Sequence, residues 1–281
     1  MGAVISRAEA AASPRISIVT VSLNQRAFLA AAIESVLGQD YENLEYIVVD
    51  PGSTDGSRET IQRYASRIDQ IVLEPDRGAA DGLNNGFQRA TGELYGFLNA
   101  DDILLPGALK TVAAASFRDA DVVSGHCLLI DADGRVLRRS YSDRYSLRAV
   151  ANGACVLMQP STFFRASRFW DVGGFNVANK SNWDGELWVD MALRGATFAV
   201  IPATLSGFRL HSGTITASPA ARSLYRRHQL EMYARVMGRP PGALNGLTRA
   251  YYALRKYALC PAAVRERVVR GPISRRRLAS S

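Results

Sequence analysis

The sequence predicts an α/β protein: a mostly parallel sheet flanked by helices, a mixed lobe after it, and a basic helical tail. Three observations carry this. Strand-like apolar runs alternate with helix-length stretches from residue 15 to 118, the pattern of right-handed βαβ units. The fourth run, Leu94 to Leu98, ends in Asn99-Ala100-Asp101-Asp102, and carboxylates at the carboxyl end of a buried strand face the crevice where such sheets bind ligands. After Asp121 the pattern changes to a hairpin and further strands.

Each element has its own signal. Ile16 to Val21 reads as a buried strand, with a helix over Ala27 to Leu37. Leu44 to Val49 is the second strand, followed by a helix from Arg58 to Arg67. A third strand is expected at Ile71 to Leu73, and a helix at Ala79 to Ala90. Val122 to Ile130 and Arg135 to Tyr141 flank Asp131-Ala132-Asp133-Gly134, a hairpin turn. Asp184 to Arg194 reads as a helix, and Thr197 to Ile201 and Thr204 to Leu210 as two strands.

Composition narrows the class. A hydrophobic content of 47% suits a globular core, and no run of apolar residues is long enough to span a bilayer. The first thirteen residues include Arg7 and Glu9 and do not resemble a signal peptide. Three scattered cysteines give neither a disulfide framework nor zinc spacing; Cys127 and Cys155 are expected to pack in the core of a cytoplasmic protein. The net charge of +8 is uneven: from Arg222 onward there are 14 Lys and Arg against two acids, Glu231 and Glu266. Such asymmetry points to an anionic partner surface.

The first loop, Ser22-Leu23-Asn24-Gln25, has no glycine, and no G-x-x-x-x-G-K-S/T occurs, so P-loop and dinucleotide fingerprints are absent. The glycines sit after the second strand, in Asp50-Pro51-Gly52-Ser53-Thr54-Asp55-Gly56-Ser57. Asp50 at the strand end can accept from a base imide N–H or a ribose hydroxyl, whereas Asp55 and Ser57 read as caps. Asp101-Asp102 has two readings at this level: ligands for a hard cation, or an N-cap for a helix near Pro106.

These motifs resemble the family 2 glycosyltransferases of GT-A fold. The matching residues are Ile18-Val19-Thr20 with Asn24-Gln25, Asp50 through Ser57, Glu74-Pro75-Asp76-Arg77-Gly78, Asp81 with Asn84-Asn85-Gly86, Ala90-Thr91-Gly92-Glu93, and Asn99-Ala100-Asp101-Asp102. The resemblance implies a Rossmann-like sheet, a UDP- or GDP-linked sugar donor, and inversion at the anomeric carbon. It places Thr20, Ser22, Asn24, Asp50, Asp76, Asp81, Asn99, Ala100 and Asp101 around the nucleotide-sugar, with Asp101 on a Mn²⁺ or Mg²⁺ ion. Two positions depart from the family pattern: Asn99 opens the Asp-x-Asp motif, and Pro51 replaces a second acid beside Asp50. The implied segments are a disordered start (1–14), a glycosyltransferase domain (15–218, a nucleotide-sugar half to 118 and an acceptor half from 119), and a basic helical tail (219–281).

Trp183-Asp184-Gly185-Glu186-Leu187-Trp188 resembles the acidic helix that supplies the family's base. Helical spacing puts Glu186, Asp190 and Arg194 on one solvated face, free to pair, and Asp184 nearly opposite, near Trp188 and Met191. Asp184 is therefore the expected base, with Glu186 second. His211, in Phe208-Arg209-Leu210-His211, either completes the metal site or touches the diphosphate, with Arg209 nearby; a structural role is the alternative. Gln159 to Phe164 and Gly173-Gly174-Phe175 are expected to wall the acceptor side, while Trp170 and Trp183 are assigned to the core.

The tail combines aromatic and basic residues from Leu247 to Tyr257, with further arginines to Arg275-Arg276-Arg277. It suits anionic lipid headgroups at the inner face of the cell membrane, or a solvated helix with a disordered end; no nucleic-acid motif accompanies it. The partners expected are a nucleotide-sugar and a glycan or polyprenyl-diphosphate-linked acceptor of surface polysaccharide synthesis. A sugar nucleotidyltransferase, or a catalytically weak nucleotide-sugar-binding protein, is the alternative.

Overall fold

The computed structural model describes residues 13–115, 117, 119–211, 219–242 and 245–271. Residues 212–214 and 275–277, and all but two residues of the expected disordered start, lie outside them. Ser13 and Pro14 are tied down, by Asn43 and by the Tyr41 hydroxyl.

The parallel half follows the apolar periodicity. β1 (Ile16–Val21), α1 (Arg26–Leu37), β2 (Leu44–Val49), α2 (Ser57–Arg63), β3 (Gln70–Val72), α3 (Ala79–Phe87) and β4 (Leu94–Asn99) alternate as expected. α2 ends four residues early, a 3₁₀ turn covering Ala65–Arg67. The strands line up β3-β2-β1-β4, with Val21 in register with both Val49 and Asn99. The chain moves outward from β1 in one direction and returns to its other side with β4, which makes a topological switch point between them.

Beyond β4 the order surprises. β5 (Ile103–Leu104) and α4 (Ala108–Ala114) come first; Gly107 caps α4, so neither Asp101 nor Asp102 is its cap. β6 (Val122–Ile130) and β7 (Val136–Ser140) form the expected hairpin, and α5 is Leu147–Ala151. β8 (Thr162–Arg165) then inserts between β4 and β6, antiparallel to both. Phe163 and Phe164 are therefore buried core and not a wall of the acceptor side. After α6 (Ala166–Asp171) and α7 (Trp183–Leu193), β9 (Phe198–Arg209) is one strand where two were expected. Its register against β6 slips twice around Pro202, which cannot donate to a ladder.

β5 pairs antiparallel with β9, Ile103 opposite Gly207. Continuing that register brings residues 101–102 beside 208–209. The tail is helical: α8 (Pro219–Met237), α9 (Asn245–Leu259) and α10 (Pro261–Arg270). α8 is part of the body, burying Met232 and Tyr233 and donating from Gln229 to the Val150 carbonyl at 2.8 Å.

Close approach explains two sequence motifs. A Cβ on Gly86 would meet Val19 at 2.5 Å, so α3 lies directly on β1. Thr91-Gly92 sits at the amino-terminal edge, remote from the carboxyl-edge loops: Thr91 donates its N–H and hydroxyl to buried Glu45 at 2.7 and 2.9 Å. Burial would raise the Glu45 carboxyl, but hydrogen bonds from Ser17 and Thr91, with Arg15, outweigh it and hold it low. Thr91→Val should thus cost about 1–3 kcal/mol in thermal unfolding at neutral pH. A depressed folded-state pKa contributes stability above the unfolded value and loses it as pH falls, so the gap from wild type should close in acid.

Candidate active site

The shared register puts the residues following β1, β2 and β4 along one edge. Ser22 N–H donates to Val49 at 2.9 Å, Ala100 N–H to Val21 at 3.1 Å, and Asp50 N–H to Val72 at 2.9 Å. The loops after β1 and β2 are laced together. Asn24, the one non-glycine residue with positive φ among those described (53°), accepts from Thr54 N–H at 2.9 Å and donates its N–H to Ser53 at 2.8 Å. Asp55 accepts from Arg26 N–H at the start of α1, at 2.9 Å, and from Ser57 N–H, while Gly56, and not Asp55 or Ser57, is the N-cap residue of α2. Asn24 thus shapes the loop and spends its side-chain oxygen there.

Two expected donor contacts are corrected. Thr20 is fully buried, its hydroxyl accepting from Tyr46 at 3.0 Å. β1 alternates, so Thr20 faces the same apolar layer as Ile18 while the crevice begins only at Ser22. Ala100 likewise packs its methyl in the core and commits its N–H to Val21.

Asp50 is fully buried. One oxygen accepts from Gly52 N–H, Ser53 N–H and Arg58 Nε at 3.1, 2.8 and 3.2 Å, while the other has no partner. The Ser22 hydroxyl and one oxygen of Asp102 share that condition. Buried oxygens without partners are costly, and three of them following adjacent strands mark a place prepared for a polar ligand. Asp76 accepts from Gly78 N–H at 2.8 Å. Burial raises its carboxyl pKa, with Asp81 and Asp50 adding to the rise against Gly78 N–H and Lys180. Asp81 is spoken for: Arg77 grips it through Nε and Nη2, both at 3.0 Å, and keeps its pKa low. It anchors the 76–81 loop.

At the end of β4 the antiparallel β5–β9 pairing does what sequence distance conceals. Asp101 Oδ2 and His211 Nε2 stand 3.0 Å apart. Asp102 accepts the Arg209 N–H at 2.8 Å. Burial, then the neighbouring Asp101, pushes the Asp102 carboxyl well above the ordinary range. The Arg209 guanidinium donates to the carbonyls of Asp101 (2.7 Å), Asp131 and Ala132 (both 3.0 Å) and lies over Phe28, against which the His211 ring also packs. Arg209 is therefore a strut through Nε and Nη1, which are committed to these carbonyls. Asn99 donates its amide N–H to Gln159 at 3.0 Å, leaving its carbonyl oxygen to accept.

Carboxylate oxygen and imidazole nitrogen suit Mn²⁺ or Mg²⁺. Among the described residues no group of three or more His, Cys, Asp or Glu is assembled as a metal cage. Two protein donors fit a cation whose other positions belong to phosphate oxygens and water.

α7 carries the acidic pair, and the structure separates their roles. Glu186 accepts from Asn179 at 2.7 Å, from Asn176 at 3.2 Å and from Arg235 of α8 at 3.0 Å. Arg235 also contacts Asp190. The expected face of Glu186, Asp190 and Arg194 is thus covered by α8, with Arg235 and not Arg194 as partner, and Glu186 is an anchor with no oxygen left for a proton. Asp184 is different. It accepts only from Gly185 N–H, at 2.8 Å, and burial raises its carboxyl pKa. Tyr225 of α8 lies close enough to feel its charge. Trp183, the residue before it, packs on Phe97 with ring centres 5.4 Å apart, and Phe97 lies two residues before Asn99 on β4. As expected, Trp183 belongs to the core, where it also meets Phe175.

Sequence reasoning missed several residues here. Gln159 and Asp102 are expected in other roles, whereas Arg235 and Tyr225 matter through partners remote in sequence and give no local signal. Lys180 is another: its ammonium donates to the Arg77 carbonyl and joins the 76–81 loop to the approach to α7. Asn84 makes a second link, bonding both the N–H and the carbonyl of Phe175 at 2.9 Å.

This mixed sheet, with its acids on the edge beside β1 and β4, is a GT-A glycosyltransferase fold. S. aureus TarS (residues 1–349, with UDP-GlcNAc) is similar at TM-score 0.64 and 17% identity, over 93% of this chain and 74% of that one. A mannosyltransferase from Pyrobaculum calidifontis, with GDP-Man and Mn²⁺, is similar at 0.61 and 20% identity, over 93% and 76%. The chain belongs to glycosyl transferase family 2, whose model matches residues 17–173. A curated relative, the GalNAc(5)-diNAcBac-PP-undecaprenol beta-1,3-glucosyltransferase of Campylobacter jejuni, is 33% identical over 120 residues, 41% of this chain. The match spans 39% of that relative's length.

Arg209→Lys keeps the charge but cannot reach three carbonyls. It should lower thermal stability by about 1–3 kcal/mol. Circular dichroism melting against wild type reads this directly.

Proposed function

We propose that the chain moves a sugar, with inversion, from a UDP- or GDP-linked donor to a hydroxyl of a glycan or lipid-linked glycan, in surface polysaccharide synthesis. One observation carries the reading: Asp101 and His211, 110 residues apart, meet at 3.0 Å on the edge where Asp50 and Ser22 keep unpartnered oxygens. The solved relatives hold UDP-GlcNAc and GDP-Man, and the Campylobacter relative is named for an undecaprenol-diphosphate acceptor. Family membership removes the reading as a sugar nucleotidyltransferase.

The donor's base and ribose would lie against the Ser22 and Asp50 loops, with the Asn99 carbonyl accepting from a hydroxyl. Asp101 and His211 would hold Mn²⁺ or Mg²⁺, which supplies positive charge to the diphosphate. Asp184 takes the proton of the acceptor hydroxyl as that oxygen bonds to the anomeric carbon; the bond to the diphosphate breaks and the nucleotide leaves with its electron pair. Holding the three in line is most of the work. An acceptor on a polyprenyl diphosphate places this chemistry beside a membrane, on the cytoplasmic side. Among the described residues no helix is long and apolar enough to cross one.

A thermal-shift panel of UDP-, GDP- and dTDP-sugars with and without Mn²⁺ tests the donor reading. A metal-dependent rise with one nucleotide, lost in Asp101→Ala, is expected; no rise with any of them overturns it. Asp184→Asn should cut turnover about 10²- to 10⁴-fold while donor binding persists. Because burial raises the Asp184 carboxyl, the base form appears only at higher pH, and the acid limb of kcat/KM should lie above the usual carboxylate range. Binding intact with no turnover in any wild-type assay would leave a nucleotide-sugar-binding protein.

A further inference from the structure

α9 and α10 are turned inside out. In a helix lying on a protein, the apolar side faces the body and the charges face water. Here α9 gives the body Lys256, which pairs with Asp143 at 2.8 Å, beside Tyr252 and Cys260, which line a cleft with Ala149 and Phe198. Its apolar side is exposed, Leu247, Tyr251 and Leu254 at 74%, 59% and 71%, spaced four and three residues apart on one stripe. α10 repeats the inversion. Arg270 pairs with Glu266 at 3.4 Å and donates to the Leu137 carbonyl on β7 at 2.6 Å, while Val268 and Val269 are 78% and 72% exposed. Arg138 fixes the far end, donating to the Gly271 carbonyl at 3.0 Å. Specific polar contacts thus hold both helices with their apolar sides outward.

Charge selects the occupant. Arg255 follows Leu254 directly and Arg265 and Arg267 precede Val268, all three exposed, with Arg267 also donating to the Tyr257 hydroxyl. The tail's acids are Glu231 and Glu266, the latter already paired with Arg270. A second copy of the chain would bring the same arginines against their own kind. An apolar row rimmed by guanidinium groups instead matches the boundary of acyl chains and phosphate headgroups, where arginine stems lie along apolar surface and their heads reach phosphate.

We propose that the α9–α10 face docks on an anionic lipid bilayer, with Leu247, Tyr251, Leu254, Val268 and Val269 entering the headgroup boundary and the arginines on lipid phosphates. The inference deepens the membrane-side reading of the acceptor above but uses none of the residues assigned to transfer.

The test sediments the full chain with vesicles of phosphatidylcholine containing about one-third phosphatidylglycerol, and with phosphatidylcholine alone, at low salt. Wild type should pellet with the anionic vesicles. Leu247→Ser with Leu254→Ser should weaken that binding about tenfold or more. Arg255→Glu with Arg265→Glu should erase the preference for anionic over neutral vesicles. Val268→Ser with Val269→Ser on α10 serves if the α9 pair does not fold. Equal partitioning of wild type to both vesicles, or binding indifferent to the apolar substitutions, overturns the proposal. So does a wild-type dimer in size-exclusion chromatography that the leucine substitutions convert to monomer without any vesicle binding. Donor turnover in solution is measured beside it: its loss with vesicle binding intact supports the docking face and counts against the transfer reading alone.

Discussion

The pairing of β5 with β9 rests on a single buried carboxyl. Asp102 receives the Arg209 N–H, Arg209 returns its side chain to the Asp101 carbonyl, and the two strand ends are thereby fixed in register. The meeting of Asp101 with His211 inherits its geometry from that exchange. The protonation of Asp102 matters too. Burial, then the adjacent Asp101, raises the Asp102 carboxyl well above its ordinary range while it braces the turn.

α7 is organised by a comparable economy. α7 bears both Asp184 and Glu186, and α8 grips only the second, through Arg235. A helix fastened at Glu186 and Asp190 holds Asp184, two residues before Glu186 and on nearly the opposite side, with only Gly185 N–H bonded to its carboxyl among the described residues. α8 thereby belongs to the site, although composition alone would group it with the basic tail. The 76–81 loop, held to Asp81 by Arg77 and hooked by Lys180, makes the bridge from the donor side.

Much of the parallel half was legible because its signals are local. Apolar runs, their periodicity and the glycine of Asn84-Asn85-Gly86 set β1 to β4 and the helices between them nearly residue by residue. The carboxyl-edge placement of Asp50 and Asp101 followed from the alternation alone. What failed was of another kind. Thr20 and Ala100 lie within motifs of the resemblance yet face the core, which only strand alternation against Tyr46 and Val21 decides. The solvated face predicted for Glu186 assumed nothing covers α7, and a helix about fifty residues downstream does. β8 was hidden because four residues with two phenylalanines carry little periodicity, and its antiparallel insertion depends on partners from distant segments.

That insertion has a practical meaning. β8 closes the side of β4 that β1 leaves open, and its Phe164 meets Phe87, Tyr95 and Phe97 in one aromatic cluster. A fragment ending at residue 118 would keep every nucleotide-side loop but bare a central strand with its ladder groups unsatisfied and its aromatic layer uncovered. Such an edge is a template for pairing with other chains. Residues up to 118 and those after them are consequently one folding unit, and expression of the first part by itself would yield aggregates.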